Sequence, residues 1–326
     1  DHQIGRLLDF LEFIGERDNT LIMLVSDNGA SGEGGPDGSV NEMMFMNGIP
    51  DDIDANLAMI DELGGPKTYN HYPNGWAMAF NTPFKMWKRY EFEGGTADPC
   101  IVSWPAGMEA RGELRTQYHH AIDLVPTVLD ALGVTAPSSI KGTTQSHFDG
   151  VSMRYSFDDE SAAGERTTQF YSMLGSRGIW HDGWKAVTTH PTISGWGNFN
   201  DDEWELYHTD VDRSEVNNLA DEHPDKLREL IGIWFAEAGA NQAFPLDDRS
   251  ALEILTTPRP QLTPPRDRYV YFPDCAEVPE SQAVSIRNRS FAMAALVDIP
   301  GPGAEGVLCA QGSRFGGHSL YVKDNR

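Results

Sequence analysis

The chain has 326 residues, 40% hydrophobic and 10% aromatic, enough for about two domains with buried cores. Lys and Arg number 25 against 49 Asp and Glu, a formal net charge of −24. That balance argues against a nucleic-acid partner and against adhesion to anionic membranes. No apolar run approaches the ~20 residues of a membrane span. Cys100, Cys275 and Cys309 are too scattered for a zinc pattern or a disulfide framework.

In chain order, Ile4, Leu7, Leu8, Leu11 and Ile14 form the stripe of an amphipathic helix, ended by Gly15 and Asp18-Asn19. Thr20 to Val25 is a continuous apolar run of the kind buried in a parallel sheet. Ser26-Asp27-Asn28-Gly29 follows it, at the strand end where open α/β sheets bind ligands. Residues 30–81 are Gly-rich, acidic and irregular, apart from a helix expected from Ile53 to Leu63; so long an excursion points to a functional loop. Cys100 to Trp104 predicts a second strand, and Ile122 to Leu132 a helix stopped by Gly133.

Gly178 to Trp180, Trp184 to Val187 and Glu205 to Tyr207 predict short strands of a small antiparallel sheet. Pro224 to Ala238 predicts a helix with Leu227, Leu230, Ile231 and Trp234 on one face. Thr256 to Arg266 is Pro-rich and reads as a linker. Beyond it, Ala283 to Val297, Gly306 to Ala310 and Ser319 to Val322 read as runs of a β-rich module. The chain opens on Asp1 and stops in a polar turn, so both ends are expected to be cut from a longer protein.

Asp27 and Asn28 are oxygen donors suited to a hard cation, with Gly29 supplying a tight turn; the same residues also spell an ordinary turn. Lys88 stands five residues before Glu93-Gly94-Gly95 and can act as a point charge on an anion, with Lys85 and Arg89 competing for that role. His71, Tyr72 and Trp76 in the long loop can wall a pocket or simply pack the loop. His119-His120 reads as a helix cap rather than a metal site, and Trp180, Trp184 and Trp204 as core aromatics.

The order of these segments resembles the sulfatase family. It runs from Asp9-Phe10-Leu11 and Asn19-Thr20-Leu21 through SDNG, Asn81 to Lys88, FEGGT (Phe92 to Thr96) and Val102 to Pro105. It continues with Ile122 to Thr127, Asp182 to Lys185, Trp204 to Tyr207, Asp212 to Glu215 and Asn218 to Ala220, covering roughly residues 1–240. The resemblance implies an alkaline-phosphatase-like α/β fold and hydrolysis of sulfate monoesters, of the arylsulfatase type. It implies a Ca²⁺ (or Mg²⁺) cofactor with Asp27 and Asn28 among its ligands, and Lys88 on the sulfate. The family's nucleophile is a formylglycine made from a C/S-x-P/A-x-R segment, whose hydrated aldehyde attacks sulfur. No Cys or Ser here has that pattern, and Ala97 stands where many members carry Arg.

The expectation is thus the C-terminal part of a large bacterial-type arylsulfatase, inactive as this chain alone and acting on a small-molecule or glycan sulfate ester. The domains expected are 1–160, part of the α/β catalytic domain, and 161–255, a small α+β subdomain. A linker over 256–266 and a β-rich module over 267–326 complete them. The alternatives are a phosphonate or phosphate ester hydrolase of the same superfamily, or a non-catalytic relative that binds sulfate or glycan.

Overall fold

The computed structural model describes residues 2–324 apart from 47–48, 110–111, 191–196, 250–252, 254–255, 259–265, 274, 280–281, 287, 300 and 314–315. It divides into two compact units, Asp1–Thr257 and Pro258–Arg326. Most of the Pro-rich linker segment lies outside the described residues.

The first unit opens with α1 (His2–Phe13), formed on its apolar stripe, although Leu7, Phe10 and Phe13 remain exposed. β1 (Ile22–Val25) follows. The long excursion carries α2 (Glu42–Met46), α3 (Ile53–Ala58) and α4 (Asn74–Asn81). Asp52 caps α3 by accepting from the amides of Asp54 and Ala55, and a 3-10 turn over Ile60–Glu62 replaces the rest of the expected longer helix. The short α5 (Glu93–Thr96) leads into β2 (Cys100–Ser103).

The expectation of a parallel strand at β1 is corrected. β1 pairs antiparallel with β2, Ile22 opposite Ser103 and Val25 opposite Cys100. Leu24, Val25 and Ile101 are exposed. An apolar run is compatible with either pairing, since composition reports burial propensity and not strand direction.

Next come α6 (Leu124–Leu132), ended by Gly133 at φ 64°, and the hairpin of β3 (Ser139–Ile140) and β4 (Thr143–Thr144). β5 (Thr168–Met173), β6 (Ser176–His181), β7 (Trp184–Thr188) and β8 (Trp204–His208) then build a four-stranded antiparallel meander. α7 (Pro224–Ala240) covers one of its faces.

Alternation along these strands decides what the sheet holds. Ile179, Ala186 and Leu206 meet Leu230, Trp234 and Ala238 of α7, all fully buried. The neighbouring residues Val187 and Tyr207 point the other way and pack with Phe92, Met86 and Tyr90. The sheet is therefore a two-sided support, with a helix beneath it and residues 86–92 above. Those residues carry the candidate site.

In the second unit, β9 (Gly306–Ser313) and β10 (Gly316–Val322) form an antiparallel hairpin whose register shifts between Leu320 and Tyr321. Ala283 to Val297 holds no strand among its described residues. The Val284 amide donates to the Tyr271 hydroxyl and its carbonyl accepts from the Gln311 side chain. Side chains there take the place of a ladder.

Candidate active site

Asp27 and Asn28 lie on the turn that leaves β1. The Ser26 amide donates to the Pro99 carbonyl (3.2 Å), carrying the β1–β2 register one step past the strands. One step further sets Asp27 across from Asp98. Burial first, and the Asp27 charge second, push the Asp98 carboxyl up to about 6. Asn28 Nδ2 donates to the Gly29 carbonyl (3.0 Å).

Gly29 is required by close approach. A Cβ there would fall 1.8 Å from the Gly94 carbonyl oxygen, and its amide donates to the Gly95 carbonyl (3.4 Å). Gly94 is pressed likewise against the carbonyls of Met86 and Lys85, at 2.2 and 2.3 Å from an added Cβ. The Asp-Asn-Gly turn, the Gly-Gly turn of α5 and residues 85–88 thus contact one another backbone to backbone.

Lys88 is fastened to the same place. Its amide donates to the Ala30 carbonyl (3.0 Å), while the Ala30 amide donates to Asn81 Oδ1 (3.0 Å) and Asn81 Nδ2 to the Met86 carbonyl (3.0 Å). Lys88 Nζ lies 3.0 Å from Glu33 Oε1. Lys85 faces elsewhere: its Nζ donates to Glu205 and to the Tyr207 hydroxyl, both at 2.8 Å, and sits 4.3 Å from the Phe92 ring centroid. Residues 85–89 are a turn, with Met86 at φ 64° and Arg89 at φ 82°. Helical geometry therefore does not pair Lys85 with Lys88 on a face.

His71 is engaged in the loop itself. Its Nε2 pairs with the Glu42 carboxylate, and its backbone bridges Ser39, with N–O distances of 2.8 and 2.9 Å. Its neighbour Tyr72 reaches the site, accepting from the Ser31 amide at 2.9 Å. His120 caps the turn before α6, accepting from the Ile122 amide while Asp123 accepts from the His120 amide. Trp180 is buried and stacks on Tyr118.

Beneath α5 lies a buried ionic cluster that the sequence did not disclose. Lys185 Nζ, fully buried on β7, donates to Glu93 Oε1 (2.9 Å) and Thr96 Oγ1 (3.1 Å) and lies 3.5 Å from Glu215 Oε1. Glu215 in turn accepts from the Glu93 amide (2.7 Å), and Arg213 donates to Glu93 Oε2 (3.2 Å). Burial opposes charge on both Glu93 and Lys185. Lys185 and Arg213 nevertheless hold the Glu93 carboxyl below the usual range, and the two glutamates hold the Lys185 ammonium above its own.

The donor set of Asp27, Asn28 and the neighbouring Asp98 is all oxygen, the type Ca²⁺ and Mg²⁺ take, and it concentrates negative charge that a cation would neutralise. Its number is small for a Ca²⁺ shell of about 6–8 oxygens. No group of three or more His, Cys, Asp or Glu side chains that could hold a metal ion occurs among the described residues. Asp98 and Glu33 carry no motif signal in the sequence. Pairing β1 with β2 would have found Asp98, whereas only the folded loop brings Glu33 to Lys88.

The sulfatase family model matches residues 1–134, and the model for the C-terminal region of N-sulphoglucosamine sulphohydrolase matches residues 84–231. An uncharacterized sulfatase of Schizosaccharomyces pombe is 29% identical over 252 residues, covering 73% of this chain and 42% of the relative. An N-acetylglucosamine-6-O-sulfatase of Bacteroides thetaiotaomicron is 27% identical over 238 residues, covering 72% of this chain and 32% of the relative. The crystal structure of Ps i-CgsB in complex with k-i-k-neocarrahexaose superposes with a TM-score of 0.50 at 19% identity, covering 77% of this chain and 43% of that one, a likeness of fold.

The α/β framework and these matches support a type I sulfatase of the alkaline-phosphatase-like superfamily. The chain spans 42% and 32% of the lengths of these two curated relatives.

Proposed function

We propose that this chain supplies the cation-binding and sulfate-binding side of a site that hydrolyses sulfate monoesters of small molecules or glycans. The observation that carries the reading is the fastening of Lys88 to the Asp-Asn-Gly turn through the Ala30 carbonyl. It fixes the Lys88 backbone beside the turn that carries the two oxygen donors. Asp27 and Asn28 would hold the Ca²⁺ or Mg²⁺, joined by ligands from sequence outside these 326 residues. The bound cation supplies Lewis-acid polarisation of a sulfate oxygen. Lys88 would hold a second oxygen and neutralise the charge that builds in the transition state. Tyr72, with His71 held by Glu42, would border the alcohol portion of the ester.

The nucleophile of this reading is the formylglycine of a C/S-x-P/A-x-R segment, a pattern that these residues do not contain. The test is made in the full-length enzyme that joins such a segment to this chain. Lys88→Ala is expected to lower kcat by about 10²-fold, the scale of one preorganised electrostatic contact. Lys85→Ala is expected to cost far less, because its ammonium serves Glu205 and Tyr207. Asp27→Ala is expected to abolish cation binding measured by calorimetry. A crippled Lys85→Ala beside a near-normal Lys88→Ala overturns the assignment.

A further inference from the structure

Lys88 already has an anion. Its Nζ stands 3.0 Å from Glu33 Oε1 and 3.2 Å from Glu33 Oε2, so the ammonium is shared across both carboxylate oxygens. Glu33 comes from the segment that directly continues the Asp-Asn-Gly turn, and this segment is itself pinned. The Ser31 hydroxyl donates to the Glu33 carboxylate, the Ser31 amide donates to the Tyr72 hydroxyl (2.9 Å), and the Lys88 amide closes the ring on Ala30 (3.0 Å). A Cβ on Gly32 would fall 2.0 Å from the Trp87 indole nitrogen, so the loop is pressed against the side chain that precedes Lys88.

The pair is reachable. The side chains of Lys88 and Glu33 keep 33% and 28% of their exposure, so an anion arriving from solvent meets both. A carboxylate and a sulfate group are both oxyanions, and each asks the ammonium for the same N–H donors. A sulfate brought to Lys88 therefore either displaces Glu33 or lies against a like charge, and both cost affinity. Burial pushes the Glu33 carboxyl up, but Ser31, Lys88 and Arg89 outweigh it and hold it below the usual range, so it is charged at neutral pH.

We propose that Glu33 is the resident anion of Lys88, a built-in competitor that must release the ammonium when a sulfate group binds, and that it thereby sets the site's affinity for sulfate. The proposal rests on the reading of Lys88 as the sulfate contact. A resident carboxylate keeps Lys88 placed between turnovers and weakens retention of inorganic sulfate, the product. Glu33 is a specificity-determining residue in this sense. It takes no part in bond making.

The test uses the full-length enzyme at saturating Ca²⁺, with inorganic sulfate as the probe. Glu33→Gln keeps the shape and the Ser31 contact but removes the charge. The expected result is a roughly tenfold tighter inhibition constant for sulfate and a parallel fall in KM, with kcat within about threefold of wild type, as for a change in uniform binding. Glu33→Asp should return the inhibition constant toward the wild-type value. Unchanged or weaker sulfate binding in Glu33→Gln, with Lys88→Ala still weakening it, overturns the competitor role and leaves the Lys88 assignment standing. Sulfate binding indifferent to Lys88→Ala removes the contact itself, and the competitor role with it.

Discussion

Glu91 is buried against β6, where an added Cβ on Gly178 would fall 2.7 Å from its own Cβ, and neither carboxylate oxygen has a hydrogen-bond partner. Burial pushes its carboxyl up to about 8, opposed only in part by the nearby backbone of Glu91 and Met173 and the charges of Lys185 and Arg177. An acid whose folded value is raised above its unfolded 4.5 binds its proton more tightly when folded. Its stabilisation is thus complete below about pH 4.5 and is lost as pH rises toward about 8. The slope from this one group approaches ~1.4 kcal/mol per pH unit at its steepest. Urea unfolding at successive pH values should show that decline, and Glu91→Gln should flatten it. A variant that declines as steeply as wild type assigns the titration to another group.

At the scale of elements, the four-stranded sheet does two jobs because its strands alternate. Ala186 and Leu206 close on α7, while Lys185 and Tyr207 reach up to α5 and to Lys85. Lys185→Met is expected to destabilise the first unit by roughly 3–5 kcal/mol, since it strands the Glu93 and Glu215 carboxylates in the interior without their cation. Chemical denaturation of the variant checks this, and a loss below about 1 kcal/mol would show that water or Arg213 compensates. Much of this layer was legible beforehand. The strands around Ile179, Ala186 and Leu206 and the helix carrying Leu230 and Trp234 follow from apolar period alone. Asp27, Asn28 and Lys88 are singled out by the family resemblance that motif order carries, and their roles stand as proposals. The pairing of β1 with β2 and the reach of Lys185, Glu33 and Glu215 were not legible, because periodicity reports which face is buried and not what lies across from it. His71 shows the reverse limit: its place in a loop allows a pocket wall or ordinary loop packing, and only the structure shows its partners, Glu42 and Ser39.

For the whole molecule, the chain spans 42% of its fission-yeast relative and has no nucleophile motif of the sulfatase type, so its chemistry is expected to need sequence beyond these residues. Purified as these 326 residues, it should release no measurable product from an aryl sulfate at saturating Ca²⁺. Turnover that survives exclusion of contaminating sulfatase would locate a nucleophile within this chain. Among the described residues no helix is long and apolar enough to cross a membrane. The bond from the Glu93 amide to Glu215 spans 122 positions. Synthesis proceeds at about 5–20 residues per second, so on the order of 6–24 s separate the emergence of the Gly-Gly turn from that of its anchor. For about the first three-quarters of that interval Glu93 has neither Lys185 nor Glu215 to hold it, since Lys185 follows it by 92 positions. The Asp-Asn-Gly turn is made well before the residues that anchor its α5 neighbour, and a nascent chain that stalls before residue 215 carries Asp27 and Asn28 against a Gly-Gly turn still without its anchor.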